Sequence, residues 1–93
     1  PNVKHLTFLD LSANQITDAG AIAIARAKNL SNLKRLDLYN NKIGPKGAKA
    51  LLNSPVLVNL EHLDIVKNEI DVDTANRLSE AKVLPKLKAL FIH

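Results

Sequence analysis

Leucine and isoleucine return along this chain at one fixed interval. Leu6, Leu33, Leu60 and Leu87 are spaced by 27, and the same step links Leu9, Leu36, Leu63 and Leu90, then Leu11, Leu38, Ile65 and Ile92. Val3, Leu30, Leu57 and Leu84 open the units, and Asn14, Asn41 and Asn68, then Ile16, Ile43 and Ile70, follow in the same register. A period held over so many columns marks a solenoid, in which a unit too small to bury its apolar side alone buries it against the next. Within each unit the pattern first alternates as Leu-x-x-Leu-x-Leu, which predicts a short strand with one face turned inward. Ala21, Ala48 and Ala75, together with Ile24, Leu51 and Leu78, then follow helical spacing and form the inward face of a helix. One strand and one helix make a unit, so the chain is expected to be one array, with repeats at about 3–29, 30–56 and 57–83 and a partial repeat at 84–93.

Thr17, Gly44 and Asp71 stand where helix N-caps belong, and Pro45 suits a first helical position. Helices are therefore expected near 18–28, 45–53 and 72–82, with Pro55 and the Leu84-Pro85 pair ending the second and third. Gly20 and Gly47 recur where a missing side chain lets a helix start pack closely, and Thr74 breaks that column. The third helix, with Asn76, Ser79 and Lys82, is the most polar.

The columns spell Leu33-x-x-Leu36-x-Leu38-x-x-Asn41-x-Ile43, followed by Gly47-Ala48-Lys49-Ala50-Leu51. This resembles a leucine-rich repeat of the ribonuclease-inhibitor type, and the Gly-Ala-x-Ala-Leu wording is similar to the GALA-type repeats of some bacterial effectors. The resemblance implies a right-handed α/β solenoid, with parallel strands on a concave face and helices on a convex face. It also implies that the concave face is the usual binding surface and that an intracellular setting is favoured: the cytoplasm, or a host cell for an effector. Thr74, the polar third helix and the lack of recognisable end caps depart from the pattern.

Alternation turns the side chains between the buried columns onto that concave surface. Read across units they are Phe8, Arg35, His62 and Ala89, then Asp10, Asp37, Asp64 and Phe91, then Ser12, Tyr39, Val66 and His93, with Thr7, Lys34, Glu61 and Lys88 on the margin. Tyr and Arg are common interface anchors, so Phe8, Asp10, Arg35, Asp37, Tyr39, His62, Asp64, Val66 and Phe91 are the candidate protein-binding residues. Neighbouring aspartates about 4.8 Å apart repel by about 0.9 kcal/mol in water, a cost that nearby Arg35 and Lys34 can offset. Asn14, Asn41 and Asn68 sit where the chain leaves the sheet; an amide supplies both donor and acceptor there, which marks a structural ladder rather than a ligand row. On this reading Asn41 is structural and its neighbour Asn40 is replaceable.

Composition narrows the chemistry. The 93 residues hold no Cys and three aromatic residues, Phe8, Tyr39 and Phe91, so the core is aliphatic and no thiolate site exists. His5, His62 and His93 lack ligand spacing, and no phosphate loop or nucleophile elbow is present; no catalytic residue, metal or cofactor is expected. His62 beside Asp37 or Asp64 can be drawn as a general-base pair, but a flat sheet supplies no pocket that excludes water. The net charge of +4 is unevenly spread, with five cations against one acid in residues 30–56 and three against six in 57–83. Lys46 and Lys49 fall on the outer helix, so no cationic stripe follows a phosphate backbone, and nucleic acid is not an expected partner. No apolar run approaches the ~20 residues of a membrane helix. The expected partner is another protein, the rival roles being a structural spacer and a recruitment arm of a larger protein. With no Met and no helix after Ile92, the sequence is expected to be a piece of a longer array that can associate end to end through its last repeat.

Overall fold

The computed structural model describes residues 5–80 and 84–92; Val3 and His93 of the repeat columns, and Lys82 at the expected end of the third helix, lie outside the described residues. Strands β1 (Phe8–Asp10), β2 (Arg35–Asp37), β3 (His62–Asp64) and β4 (Ala89–Phe91) form one parallel sheet in sequence order. Leu9 pairs with Leu36, Leu36 with Leu63 and Leu63 with Leu90, so the 27-residue period read from the sequence is the pairing register itself. Helices α1 (Asp18–Ala25), α2 (Pro45–Leu52) and α3 (Val72–Glu80) connect the strands; α1 packs on α2 and α2 on α3.

The core lies between sheet and helices. Leu33, Leu36, Leu38, Ile43, Leu60, Leu63 and Ile65 are wholly buried, each worth roughly 1.5–3 kcal/mol of apolar transfer. Ala21, Ala48 and Ala75 are buried from the helix side, whereas Ile24 and Leu78 are only half-buried. In the end strands Leu6, Leu9, Leu11, Leu87 and Leu90 are half-buried, because each has a repeat on one side only.

The helix ends differ from the sequence expectation in two ways. First, α1 stops at Ala25 rather than near 28: the Arg26 N–H reaches back to the Ala23 carbonyl and the Ala27 N–H to the Ile24 carbonyl, and the chain then makes a 3-10 turn over Lys28–Leu30. Likewise α2 ends at Leu52, with Asn53 as its C-cap, and α3 is described only to Glu80. Second, Thr17 and Gly44 make no side-chain cap bond, whereas Asp71 Oδ1 accepts from Thr74 N–H at 2.7 Å. The α2 N-terminus is capped from the preceding repeat instead: Asp18 Oδ1 accepts from the Gly44 and Gly47 N–H groups, both at 2.8 Å. The close packing expected at Gly47 is present and is required by that contact, since a Cβ there would lie 2.6 Å from Asp18 Oδ1, 2.8 Å from Ile43 Cγ2 and 3.0 Å from Ala21 Cβ.

Where the chain leaves each of the first three strands it takes a left-handed residue. Ala13, Asn40 and Lys67, one period apart, have φ of 57°, 60° and 58°. Asn suits that conformation better than Ala does, so Asn40 is not freely replaceable.

Candidate functional site

The sheet face opposite the core carries the sequence-predicted rows in register: Phe8, Arg35, His62 and Ala89 stand side by side, as do Asp10, Asp37, Asp64 and Phe91. Tyr39 and Val66 follow just beyond their strands. All three aromatic residues of the chain stand out from this side, Phe8 at 50%, Tyr39 at 40% and Phe91 at 48% exposure. Each has a nitrogen-bearing neighbour. The Arg35 guanidinium lies 5.2 Å from the Phe8 ring centre. Lys67 Nζ lies 5.9 Å from the Tyr39 ring centre, and the His62 and Phe91 ring centres are 5.1 Å apart. Lys67 was absent from the sequence-derived set because the left-handed turn, not strand alternation, brings it there.

The three aspartates answer their mutual repulsion differently. Asp10 Oδ1 accepts from Ser12 Oγ at 2.6 Å and Ser12 N–H at 2.9 Å, and these bonds hold its carboxyl below the usual range. Asp64 Oδ1 accepts from Val66 N–H at 2.9 Å. Asp37, in the middle, is held by charge: Arg35 Nη2 is 3.4 Å from its Oδ2 and His62 Nε2 is 3.6 Å from its Oδ1, the latter an ion pair only when the imidazole is protonated. Its side chain is 13% exposed, and Oδ1 has no hydrogen-bond partner among the described residues. Asp37 is therefore shielded between two basic side chains, with aromatic rings on either side.

Behind the strands, the asparagines join consecutive repeats. Asn41 is 7% exposed; its Oδ1 accepts from the Asn14 and Ile16 N–H groups, both at 2.9 Å, and its Nδ2 donates to the Leu11 and Leu38 carbonyls at 3.1 and 3.0 Å. Asn68 repeats the pattern, accepting from Ile43 N–H and donating to the Leu38 and Ile65 carbonyls, all at 2.9 Å. Asn14 is exposed and its side chain donates to the Ser12 carbonyl of its own turn. Sequence reading also missed Ser54, a buried hydroxyl that donates to the Ala25 carbonyl and accepts from the Val56 and Leu57 N–H groups. It occurs once, with Ala27 one period earlier, so no column announced it.

On the opposite side, α1 and α2 enclose an open groove of about 370 Å³ that the sequence did not suggest. Ile22, Ala25, Ala50 and Pro55 supply its apolar surface and Arg26, Lys46 and Lys49 its charge.

Among known proteins, residues 4–47 match the family model described as leucine-rich repeats in two copies. Residues 4–47 belong to the leucine-rich-repeat family. No curated protein matches it. The parallel sheet and its helices agree with the α/β leucine-rich-repeat solenoid, and repeats of this family typically serve as non-catalytic protein-interaction modules. Among the described residues no group of three or more His, Cys, Asp or Glu is placed to hold a metal ion, and no helix is long and apolar enough to cross a membrane.

Proposed function

We propose that this leucine-rich-repeat chain binds another protein through its concave strand face and performs no catalysis there. The observation that carries this reading is the placement of its three aromatic residues: all are exposed on one face, next to Arg35, Lys67 and His62, while the core is built from aliphatic residues. Burying aromatic rings and an Arg under a partner yields the kind of contact that dominates binding energy. Helices of eight and nine residues in the three repeats support the ribonuclease-inhibitor-type subclass. The half-buried leucines of the end strands support a further proposal, that another apolar surface, a second copy included, stacks end to end on the last repeat.

The test uses peptides selected from a random display library against the chain. Their affinity is expected to fall at least roughly tenfold when Arg35, Tyr39 and His62 are replaced by Ala together, and to stay unchanged on Lys46→Ala with Lys49→Ala. Loss confined to the second variant would overturn the concave assignment.

A further inference from the structure

Three cations on the helical side have no part in concave binding. Arg26, Lys46 and Lys49 border the groove between α1 and α2, and no acidic residue lines it among the described residues. None of the three side chains forms an ion pair or a hydrogen bond among the described residues. Lys46 stands in the first turn of α2, Lys49 in the second and Arg26 at the C-cap of α1, so positive charge accompanies the groove from end to end. All three are exposed, whereas the floor between them is apolar: Ala25 is 2% exposed, and Ile22 and Ala50 are half-buried. The recess is particular to this pair of helices. One period on, the positions of Ile22, Ala25 and Ala50 are taken by Lys49, Leu52 and Arg77, longer side chains that include two cations.

An apolar floor under unpaired cations is complementary to a ligand that is apolar along one stripe and anionic beside it. Nucleic acid gains nothing from an aliphatic floor, and no aromatic residue lines the groove for a base to stack on. A bilayer does not reach a floor that lies below its own charged rim, and a free small amphiphile stays mostly in water in so open a cleft. An extended peptide would need a strand edge to satisfy the backbone groups it buries, whereas helices border this groove on both sides; a helix satisfies its own backbone. We infer that the α1–α2 groove docks an acidic amphipathic helix of another protein. α1 and α2 have eight residues each, about 12 Å at roughly 1.5 Å per residue, so about two turns of ligand match the groove. Apolar side chains at i and i+4 of the ligand then fall on the floor, and carboxylates beside them meet Arg26, Lys46 and Lys49. The charge pairs form at an exposed rim, so the contact is weak and salt-sensitive. It is independent of the concave reading, since it uses other residues on the other side of the core.

Selection for tight binders does not sample a contact this weak, so the probe is a designed peptide. It is labelled, end-blocked, alanine-rich and about 16 residues long, enough to be helical, with leucines at i and i+4 flanked by glutamates. By fluorescence polarisation in low salt it is expected to bind saturably, with Kd below about 1 mM. Binding is expected to weaken at least roughly tenfold in about 0.5 M salt, where the screening length falls to about 4 Å. The same loss is expected when lysines replace the glutamates or alanines replace the leucines. Lys46→Glu with Lys49→Glu is expected to weaken it as much. So is Ala50→Arg, which fills the floor while adding positive charge; far-ultraviolet circular dichroism checks that the variants are folded. Replacing Arg35, Tyr39 and His62 by Ala leaves the affinity unchanged. A peptide that binds the Ala50→Arg variant more tightly than the wild type follows charge alone and overturns the proposal. So do binding indifferent to the leucines, binding lost with the three concave residues, and no saturation below about 1 mM. Vesicles of phosphatidylcholine with phosphatidylserine offer a rival anionic surface: a chain that sediments with them through Lys46 and Lys49, yet does not bind the peptide, also overturns it. The peptide and salt series need no variant, so a substitution that unfolds the chain leaves the proposal exposed to refutation.

Discussion

Replacing Asn41 by Ala removes hydrogen bonds that tie one repeat to the one before it, and the surroundings decide how much that costs. The Asn14 and Ile16 N–H groups lose their acceptor, and the Leu11 and Leu38 carbonyls lose a donor. The Leu38 carbonyl keeps a second donor, Asn68 Nδ2 at 2.9 Å, so it is not stranded. Asn14 is exposed and Leu11 and Ile16 are half-buried, which lets water replace part of the loss. With a net worth of about 1 kcal/mol per bond, and more for a donor left unsatisfied, the expected destabilisation is about 2–3 kcal/mol. That is a large share of the roughly 5–15 kcal/mol typical of a domain. Urea unfolding measures it: for m of about 1 kcal/mol/M the midpoint falls by about 2–3 M. The matched control is Asn14→Ala, because Asn14 occupies the same column yet its side chain holds only the Ser12 carbonyl in its own exposed turn. Its expected cost is below about 0.5 kcal/mol. Asn40→Ala is a poor control, since the left-handed backbone there adds roughly 1 kcal/mol on its own. Equal midpoints for the Asn41 and Asn14 variants would refute the view that cross-repeat bonding, rather than asparagine at the column, sets the cost.

The remaining predictions concern the helix starts. Asp18→Ala is expected to cost about 1–2 kcal/mol in the same urea assay, as the loss of a cap serving two α2 N–H groups. Gly47→Ala and Gly20→Ala should differ although both put a better helix former in place of Gly, a gain of about 1 kcal/mol. At Gly47 the new Cβ meets Asp18, Ile43 and Ala21 and displaces the capping carboxylate, so a net loss of about 1–3 kcal/mol is expected. At Gly20 the new Cβ crowds Ile16 Cγ2 alone, at 2.8 Å. That side chain is half-buried and able to turn. The Gly20→Ala change is therefore expected to stay within about 0.5 kcal/mol of zero. Asp71→Ala tests the α3 cap by pH. Hydrogen bonds from Thr74 lower the Asp71 pKa in the folded chain. The stability it adds is therefore complete above the ordinary value of 3.8 and is lost as pH falls through the lower folded value. The difference in melting temperature between wild type and variant should be constant near neutral pH and shrink in acid; a difference unchanged down to about pH 2 would rule out the carboxylate as the cap.

What the amino-acid order made legible follows from where the fold is repetitive. Leu9, Leu36, Leu63 and Leu90 pair in register because every repeat meets the same problem, an apolar side it cannot bury alone, and answers it with the same residue type at the same place. Backbone problems leave a fainter trace. The left-handed position after each strand also recurs once per repeat, yet it is filled by Ala13, Asn40 and Lys67. A single residue in that conformation costs only about 1–2 kcal/mol, so any L-residue can take it when the flanking asparagine and leucines fix the turn. Without a shared residue type there was no column to read, and Lys67 went unnoticed beside Tyr39 for the same reason.

Contacts made once are the hardest to see, and they are also what distinguishes one repeat from another. Asp18 caps α2 from α1, but its counterparts one and two periods on are Pro45 and Val72, which carry no acceptor. α3 accordingly uses its own Asp71 instead, and Thr74 stands where Gly47 had to leave room for the Asp18 carboxylate. The two departures are one event: with Val72 outward and no carboxylate entering from α2, the glycine has no contact to protect and a side chain is tolerated. In the same stretch the exposed positions that Lys46 and Asn53 hold in the previous repeat are taken by Asp73 and Glu80. Breaking the repeat pattern at residues 71–80 thus gives the helical side two unlike halves.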